Sequence, residues 1–323
     1  MPRPLTIAFA DPWQRFDPED NFFTRLLRRR YEVTVAPRAD YTLCFGYGFD
    51  FLQHDGVRIF FAGENLRPDF NLWDYALGFD HLSFGDRYHR FPLYRIYEPA
   101  YEAALRPPAP VPADAERDFC SFVVSNHRAS RAHGGRVEMF ERLSAYRSVA
   151  SGGRFRNNVG GPVADKLAFL RRHKFNLAFE NTSAPGYTTE KLVEAKAAGT
   201  VPVYWGNPEI AREFNPRGFV NCHDFAGLDA VVARVRELDR DPAAYLAMLA
   251  EPLFPGGIEP PELKLEPLLD FFGHIFDQPL ALARRRVTDG RWGPRAERFY
   301  RLAARLTLSH QWQRLTRRFR SSS

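Results

Sequence analysis

The chain has 323 residues, of which 45% are hydrophobic and 26% charged, and a formal net charge of +6. These fractions are typical of a soluble globular protein, and the length suits about two domains. The three cysteines, Cys44, Cys120 and Cys222, lie far apart, which argues against a disulfide framework and favours a reducing compartment. The N-terminus carries no apolar signal stretch, and no run approaches the roughly 20 apolar residues of a membrane span.

The first part of the chain alternates between predicted strands and a predicted helix. Strands are expected at residues 5–10, 32–36, 41–45 and 57–62, and a helix at residues 20–30. Such alternation predicts a mostly parallel sheet covered by helices. Four prolines within residues 107–112 then favour an extended linker, and we place a domain boundary there.

A second α/β series follows this proline-rich stretch. The predicted strands are residues 119–124, 175–179, 201–205 and 219–222, and the predicted helices are residues 137–146, 165–172, 228–238 and 262–276. Two α/β domains in series suggest a ligand held in a cleft between them.

The segment from Lys174 to Gly206 is the most informative part of the sequence. It predicts a strand, a polar glycine-containing loop, a helix beginning near Thr189 and a second strand, which together form a βαβ unit. Such a loop lies at the carboxyl end of the first strand, where open α/β sheets bind ligands. The helix N-terminus offers backbone N–H groups to an anion. Lys191 in the first helical turn opposes the local dipole preference, so we expect it to serve a ligand.

Several short motifs, in order from about residue 5 to residue 275, carry a resemblance to a known family. In the second half they are Phe179-Glu-Asn-Thr182, Gly186-Tyr187, Thr189-Glu-Lys191, Pro202-Val-Tyr-Trp-Gly206, Asn215-Pro216, Phe219-Val-Asn221 and His223-Asp-Phe225. In the first half they are Gly63-Glu-Asn65, Asp69-Phe-Asn71, Asp74-Tyr-Ala76, Gly78-Phe-Asp80, Asp86-Arg-Tyr88 and Pro92-Leu-Tyr94. The sequence resembles the bacterial α1,3/4-fucosyltransferases.

The resemblance implies a fold and a reaction. It implies an α/β protein of GT-B architecture, in which two Rossmann-like domains face a central cleft and a helical basic tail follows. On this basis residues 1–112 would bind the acceptor, residues 113–265 would bind GDP-fucose, and residues 266–323 would form the C-terminal helices and tail. The implied reaction is transfer of L-fucose from GDP-fucose, with inversion, to a hydroxyl of an oligosaccharide, O3 of GlcNAc or Glc.

The resemblance also implies the donor-site residues. Lys191 and Arg136 would stabilise the negative charge that grows on the departing GDP, because Lys supplies a point charge and Arg can grip phosphate in a bidentate way. Glu190 would accept hydrogen bonds from hydroxyl groups of GDP-fucose or stabilise a cationic transition state. Tyr187, Asn181, Ser125 and Asn126 complete the predicted donor set, and Arg156 is a weaker candidate. Structural alternatives stay open: Arg136 could be a surface charge near Glu141, Asn181 a turn residue, and Thr188 with Glu190 a helix start.

Inverting transfer also needs a base that takes the proton from the acceptor hydroxyl. Glu64 is the predicted base, because it follows the strand at residues 57–62 and falls at the family position in Gly63-Glu-Asn65. The alternative is a turn carboxylate that caps the loop or pairs with Arg67.

No obligatory metal site is expected, although a divalent cation could stimulate the reaction. Asp239-Arg-Asp241 has the Asp-x-Asp shape that binds Mn²⁺ in other glycosyltransferases, but it ends an amphipathic helix just before Pro242. We therefore interpret it as a helix-terminal charge pair.

The positive charge of the chain is concentrated in its tail. Residues 284–323 hold twelve Arg against Asp289 and Glu297, a net charge of +10, so the rest of the chain carries −4. Apolar residues recur there near helical spacing: Phe299, Leu302, Leu306, Leu315 and Phe319, with Trp312 near the same face. This pattern predicts an amphipathic helix on an anionic membrane surface, placing the protein in the cytoplasm at the inner face of the membrane. The alternative is a helix packed on the body; no nucleic-acid partner is expected.

Two other functions remain compatible with these patterns. The fold could serve a different sugar nucleotide, or the α/β body could be the scaffold of a non-catalytic membrane-surface binding protein. The sequence does not name the acceptor; N-acetyllactosamine-type glycans and lipopolysaccharide side chains are what the resemblance suggests.

Overall fold

The structure is a computed structural model that describes residues 2–107, 112, 116–124, 135–287 and 293–320, with the side chains of 293 and 308–320 left out. The strands within these residues are β1 Arg3–Ala10, β2 Tyr31–Val35, β3 Tyr41–Cys44, β4 Val57–Phe61, β5 Tyr75–Gly78, β6 Tyr88–Arg90, β7 Asp118–Phe122, β8 Val149–Ser151, β9 His173–Phe179, β10 Val201–Trp205 and β11 Val220–Asn221. The α-helices are α1 Phe22–Leu27, α2 Glu98–Leu105, α3 Arg136–Tyr146, α4 Lys166–Arg171, α5 Glu190–Ala197, α6 Leu228–Arg240, α7 Pro242–Ala250, α8 Leu265–Phe276, α9 Leu280–Ala283 and α10 Gly293–Arg320.

The chain divides into two compact units, each built on its own sheet. The first unit contains residues 1–78, 82–91 and 265–323, and the second contains residues 79–81 and 92–264. This division differs from the predicted boundary at residues 107–112. The reason lies in α2, whose buried Tyr101 and Ala104 belong to the same apolar cluster as Leu192 of α5.

The sheet of the first unit has six strands in the order β2-β1-β3-β4-β5-β6, and all of its strand pairs are parallel. The chain runs from β1 outward to β2 and then returns to β3 on the other side of β1. The topological switch point of this sheet therefore lies between β1 and β3. After β1, the Asp11 carboxylate accepts the backbone N–H groups of Asp50 at 2.9 Å and Phe51 at 3.0 Å, which fixes the loop that follows β3.

The C-terminal helices belong to the first unit rather than to a separate domain. Phe272 of α8 packs on Phe23 of α1 with ring centroids 6.4 Å apart, and Phe276 packs on Tyr41 of β3 at 4.8 Å. Helix α1 begins at Asn21, whose side chain accepts the Thr24 N–H. No described helix is long and apolar enough to cross a membrane.

The sheet of the second unit has five strands in the order β11-β10-β9-β7-β8, again all parallel. Successive residues of β9 face opposite sides of this sheet, as strand geometry requires. Phe175 and Leu177 join the apolar cluster that includes α3, α6 and α7, whereas Ala178 joins the cluster that includes α2 and α5. Helices thus cover both faces, and the predicted pair of Rossmann-like α/β units is confirmed.

Candidate active site

Charged side chains gather where β7 and β9 end in the second unit. The chain starts this sheet at β7, moves outward to β8 and returns to β9 on the other side, so the switch point lies between β7 and β9. Open α/β sheets bind ligands at this position, at the carboxyl ends of the strands. Glu180 follows β9 directly, and Arg136 begins the helix that follows β7. Ser125 and Asn126, two predicted donor residues, lie outside the described residues.

Glu180 is the centre of this charge cluster, although the sequence analysis gave it no role. Its side chain is fully buried, and its carboxylate accepts the Thr189 N–H at 2.7 Å, the Thr189 hydroxyl at 2.6 Å and the Lys191 ammonium at 2.9 Å. Thr189 is the residue that precedes α5, and its own side chain makes no capping hydrogen bond. Glu180 therefore caps α5 from a neighbouring segment.

This arrangement limits one expectation about the helix terminus, because one of the N–H groups at the helix start is already used. The sequence predicted that the N-terminal N–H groups of α5 would be available to a bound anion, but the Thr189 N–H already donates to Glu180. The anion that accepts this N–H is the protein's own Glu180 carboxylate. A ligand phosphate would therefore meet the side-chain cations of the cluster rather than the Thr189 N–H.

Gly206 explains why the chain can bury Glu180 here. A Cβ atom at Gly206 would lie 2.3 Å from Cγ of Glu180, far inside van der Waals contact. Gly206 directly follows β10, which pairs with β9, so the two strand ends approach closely at this point. This contact gives a physical reason why two of the sequence motifs occur together. One is Phe179-Glu-Asn-Thr182, which contains Glu180, and the other is Pro202-Val-Tyr-Trp-Gly206, which ends at Gly206.

Lys191 lies between two carboxylates. Its ammonium is 2.9 Å from Glu180 and 3.4 Å from Glu190, and it donates to the Thr189 hydroxyl at 2.7 Å. Burial would lower the pKa of Lys191, but the Glu180 and Glu190 carboxylates outweigh it and raise that pKa above its usual value. Lys191 is therefore a permanent cation, and its side chain remains 19% exposed.

Glu190 is held in its charged form by its neighbours. Burial would raise the pKa of Glu190, but the ammonium groups of Lys191 and Lys166 lower it to about 2. Lys166 in turn forms an ion pair with Glu194 of α5. Glu190 is thus an ionised acceptor at any ordinary pH, suited to hydroxyl groups or to a nearby positive charge.

Arg136 is buried in the second unit and is not the surface charge that the alternative interpretation expected. Its side chain is 3% exposed, and its Nη2 atom has no hydrogen-bond partner among the described residues. Burial lowers the pKa of Arg136, an effect that the Glu180 carboxylate opposes. Glu141 instead forms an ion pair at 2.5 Å with Arg156, the weaker donor candidate. A buried guanidinium with an unused donor is suited to bind an anion.

The loop between Glu180 and α5 is fixed at its second half. The side-chain oxygen of Asn207 accepts the Gly186 N–H at 2.8 Å, and its amide donates to the Thr188 hydroxyl at 3.2 Å. Gly186 has a φ of +76°, and a Cβ atom there would lie 2.6 Å from the Phe79 carbonyl. Tyr187 is buried with its ring edge-on to Phe79. Asn207 therefore holds the loop that carries Tyr187, a role that the sequence analysis missed.

Two of the predicted residues lie outside this cluster, one in each unit. Asn181 is half-buried at the start of the loop, next to Glu180. Glu64 is half-buried in the first unit, three residues after β4, and its carbonyl accepts the Leu66 N–H at 2.6 Å. The nearby Arg67 guanidinium donates to the Asn65 side chain at 3.2 Å. Glu64 thus occupies the carboxyl end of a parallel strand, as predicted.

The Asp239-Arg-Asp241 segment serves helix ends, as its position suggested. The Asp239 carboxylate is 2.7 Å from the Lys174 ammonium, and the Asp241 side chain caps α7 by accepting the Ala244 N–H at 3.0 Å. Among the residues that the structure describes, no group of three or more His, Cys, Asp or Glu could hold a metal ion.

Comparisons with known proteins agree on one family. The FucT N-terminal domain model of α1,3-fucosyltransferases matches residues 7–97, and the C-terminal model of glycosyltransferase family 10, fucosyltransferases, matches residues 114–250. The chain is 36% identical to alpha-(1,3)-fucosyltransferase FucT of Helicobacter pylori over 294 residues. That alignment covers 77% of this chain and 60% of the relative, so the chain spans less than two thirds of the relative's length.

Solved structures extend this likeness to three dimensions. An α1,3-fucosyltransferase crystal structure with GDP-fucose is 31% identical, with a TM-score of 0.70, and the match covers 86% of this chain and 92% of that one. Another α1,3-fucosyltransferase crystal structure has a TM-score of 0.75 at 31% identity, covering 90% of this chain and 94% of that one. Together with these neighbours, the two Rossmann-like parallel sheets define a glycosyltransferase of the GT-B class. Within that class, the chain belongs to the α1,3/4-fucosyltransferase family.

Proposed function

We propose that this chain is an inverting α1,3-fucosyltransferase that moves L-fucose from GDP-fucose to a hydroxyl of an oligosaccharide acceptor. One observation carries the proposal above the others. The switch point of the second sheet, in a chain of this family, holds a permanent cation, Lys191, and a buried guanidinium, Arg136, whose Nη2 group has no partner among the described residues. A departing nucleoside diphosphate develops negative charge, and preorganised cations in a partly dry site stabilise that charge strongly.

The residues divide this task by their chemistry. Lys191 supplies a point charge to the diphosphate, and Arg136 donates its unused Nη2–H to a phosphate oxygen. Glu190 remains ionised and accepts hydrogen bonds from hydroxyl groups of GDP-fucose, or stabilises a positively charged sugar in the transition state. Asn181 and Tyr187 bind the donor from the loop, and Ser125 and Asn126 from the segment after β7. No metal is required by this scheme, although a divalent cation could add to the stabilisation.

Glu64 is the proposed general base. A carboxylate can take the proton of an acceptor hydroxyl as that oxygen attacks the anomeric carbon from the side opposite GDP. Glu64 lies at the carboxyl end of β4, in a half-buried loop, which is where a parallel sheet presents catalytic side chains. The acceptor would then bind to the first unit, and O3 of GlcNAc or Glc is the attacking hydroxyl that we propose.

The tail helix is proposed to lie on an anionic membrane surface, which would hold the protein at the inner face of the membrane. Phe299, Leu302 and Leu306 repeat at helical spacing in α10 and are 66%, 56% and 54% exposed. Another face of the same helix contacts the first unit through Arg301, which donates to the Leu52 carbonyl at 2.7 Å. An exposed apolar stripe among arginines matches the chemistry of acidic lipid headgroups.

A donor panel tests the proposed reaction. The full-length protein is incubated with GDP-fucose, GDP-mannose, UDP-galactose or UDP-GlcNAc and with β-linked GlcNAc and Glc oligosaccharides. Fucosylated product with GDP-fucose alone supports the proposal. Transfer from a different donor would favour the alternative of another sugar nucleotide. If no donor is turned over and the protein only binds acidic vesicles, the non-catalytic alternative holds.

A further inference from the structure

We propose that the first unit binds one sugar unit of the acceptor in a cavity that has Tyr300 of the tail helix α10 as part of its wall. This inference rests on the proposed function, because it gives a place to the acceptor that Glu64 would deprotonate. It also gives the tail a second role, next to membrane attachment.

The cavity has a volume of about 280 Å³ and lies at the carboxyl ends of β3 and β4. Its lining combines the loop after β3, the loop after β4 and one residue of α10, and includes Tyr47, Leu66, Arg67, Asp69, Trp73 and Tyr300. The switch point of this sheet lies between β1 and β3, so the cavity adjoins the position where open α/β sheets bind ligands.

The loop that carries Glu64 forms one side of this cavity. Leu66 and Arg67, two and three residues after Glu64, both line it. On the other side of Glu64, the Tyr47 hydroxyl lies 3.0 Å from the position that a Cβ atom of Gly63 would occupy. Tyr47 therefore packs against the backbone beside the proposed base. A sugar bound at this side of the cavity would present a hydroxyl to the loop that carries Glu64, the proposed general base.

The chemistry of the lining suits a sugar ring. Trp73 forms a buried aromatic floor with Phe51 and Phe60, at ring-centroid distances of 4.4 Å and 5.0 Å. Tyr47 is 47% exposed at the rim, and Arg67 and Asp69 add one charge of each sign. Aromatic faces with a few polar groups match a pyranose, which has apolar C–H faces and a hydroxyl edge. The balanced charge does not favour a phosphate or a nucleotide.

The size of the cavity limits how much of the acceptor it can hold. Ligand pockets in proteins usually measure about 300–1,000 Å³, and this cavity, at about 280 Å³, is slightly smaller than that range. It therefore suits a single sugar unit, and the rest of an oligosaccharide would extend out of its open side.

Tyr300 is held in place by ionic contacts on either side of it in α10. Glu297 forms an ion pair with Arg58 at 3.4 Å, and the Arg58 side chain is fully buried. Arg301 donates to the Leu52 carbonyl at 2.7 Å and to Glu297 at 2.6 Å. These contacts fix the first turns of the tail helix on the first unit, so the Tyr300 ring is a defined part of the cavity wall.

Steady-state kinetics with Tyr300→Ala and Tyr300→Phe tests the proposal. The acceptor probe is N-acetyllactosamine, or the β-linked GlcNAc or Glc oligosaccharide that the wild-type enzyme fucosylates best. We expect Tyr300→Ala to raise the KM for the acceptor about 5- to 10-fold, the effect of losing one aromatic contact. The KM for GDP-fucose and the hydrolysis of GDP-fucose without acceptor should not change. Tyr300→Phe keeps the ring and should leave the acceptor KM within about twofold of wild type.

Filling the cavity gives a second, independent variant. Leu66→Trp adds bulk at a position that lines the cavity and is 45% exposed, so the protein should fold and the acceptor KM should rise at least about 10-fold. Leu82→Trp is the matched control, because Leu82 is 50% exposed and does not line this cavity. The control should leave the acceptor KM unchanged.

The outcomes separate this inference from the proposed function. If wild type neither transfers fucose nor hydrolyses GDP-fucose, both fail. If wild type transfers fucose but Tyr300→Ala and Leu66→Trp leave the acceptor KM unchanged, only the cavity assignment is overturned. The cavity assignment is also overturned if Tyr300→Ala weakens binding to acidic phospholipid vesicles without any change in the acceptor KM, because the cavity would then serve a lipid.

Discussion

Two carboxylates, Asp74 in the first unit and Glu180 in the second, are fully buried but are satisfied in different ways. Asp74 accepts the backbone N–H groups of Arg58 at 2.7 Å and Arg286 at 2.8 Å, and its partner cation is the Arg286 guanidinium. Arg286 is itself 6% exposed, and both of its Nη groups donate to protein acceptors. This cluster ties the segment before α10 to the first sheet.

The Glu180 cluster leaves one of its cations partly exposed, whereas the Asp74 cluster is buried throughout. We call them the open cluster and the closed cluster. Glu180 also accepts a backbone N–H and holds a cation, but the Lys191 side chain stays 19% exposed. Beside it, Arg136 keeps an Nη2 group without a partner among the described residues. Both clusters hold a buried guanidinium with one nitrogen that lacks a partner among the described residues, Nε in Arg286 and Nη2 in Arg136. The clusters differ in Lys191, because a cation that stays partly exposed beside buried charges indicates a ligand. The two clusters should therefore respond differently to mutation.

The largest effect is expected on stability, at the closed cluster. Asp74→Ala would leave the buried Arg286 guanidinium unpaired, and breaking a buried pair typically costs about 3–5 kcal/mol. Urea unfolding should show a loss of that size in the free energy of unfolding. Asp229→Ala is the control, because the Asp229 side chain is 86% exposed in its pair with Arg142 and its loss should change stability little. Equal losses in the two variants would contradict the structural role of Asp74.

The next largest effect is expected on catalysis, at the open cluster. Lys191→Ala removes the cation that meets the departing GDP, and loss of one such group costs about 10²- to 10³-fold in rate. We expect kcat for fucose transfer to fall by that factor, and stability to fall as well, because the buried Glu180 carboxylate loses its ammonium partner. Lys264→Ala replaces an exposed lysine of the same unit and should keep the wild-type kcat. A Lys191→Ala enzyme with wild-type turnover would remove Lys191 from the reaction.

Lys196 lies on the same helix as Lys191, but among the described residues its buried ammonium has hydrogen bonds to backbone carbonyls alone. Its ammonium donates to the carbonyls of Leu249 and Glu251, and burial lowers its pKa from the usual 10.5 to about 8. A group with a lowered folded pKa takes up protons on unfolding between these values, so stability rises with pH across this window.

The prediction for Lys196 is a difference between two proteins. As the pH rises from 8 to 10, wild type should gain about 1–3 kcal/mol in unfolding free energy relative to Lys196→Met. Urea unfolding at several pH values measures this difference. A difference that stays constant, or that grows as the pH falls, would show that Lys196 is not buried as a charge.

The smallest effect is expected for Glu180→Gln. Glutamine can keep the hydrogen bond to Thr189 but removes the negative charge that raises the pKa of Lys191. We expect kcat to fall about 10-fold, and activity to decline at lower alkaline pH than in wild type because Lys191 then loses its proton more easily. A purely structural role for Glu180 would lower the unfolding temperature without this change at alkaline pH, so the pH profile separates the two roles.

Much of the fold could be predicted from the sequence because strong patterns carry it. The strands that became β1, β4, β9 and β10 are rich in apolar residues, and their positions agree with the prediction to within two residues. The strands β5, β6 and β8 were missed, since each has only three or four residues and carries no alternation long enough to detect. Helix α2 was missed for another reason: its partner, α5, is distant in sequence, and only the fold brings them together.

Prediction of the site was limited in the same way, by contacts between residues that are distant in sequence. The motif around Lys191 could be found in the sequence, because a lysine in the first turn of a helix is locally unfavourable and therefore indicates a nearby negative charge. Glu180 belongs to one of the predicted motifs but was not given a role. Its burial depends on the absence of a side chain at Gly206, which follows another strand. That Arg136 is buried could not be predicted either, because the Glu141 spacing is equally compatible with a surface charge.

The binding of GDP to Arg136→Met, measured by titration calorimetry, tests the central claim most directly. The claim is that the open cluster of the second unit binds a diphosphate. Methionine replaces the buried guanidinium with an apolar chain of similar length, and guanosine serves as the ligand without phosphates. We predict that the variant binds GDP about 10- to 100-fold more weakly than wild type, the value of one charge-assisted contact, and binds guanosine equally well. Equal affinity of both proteins for GDP would contradict the account.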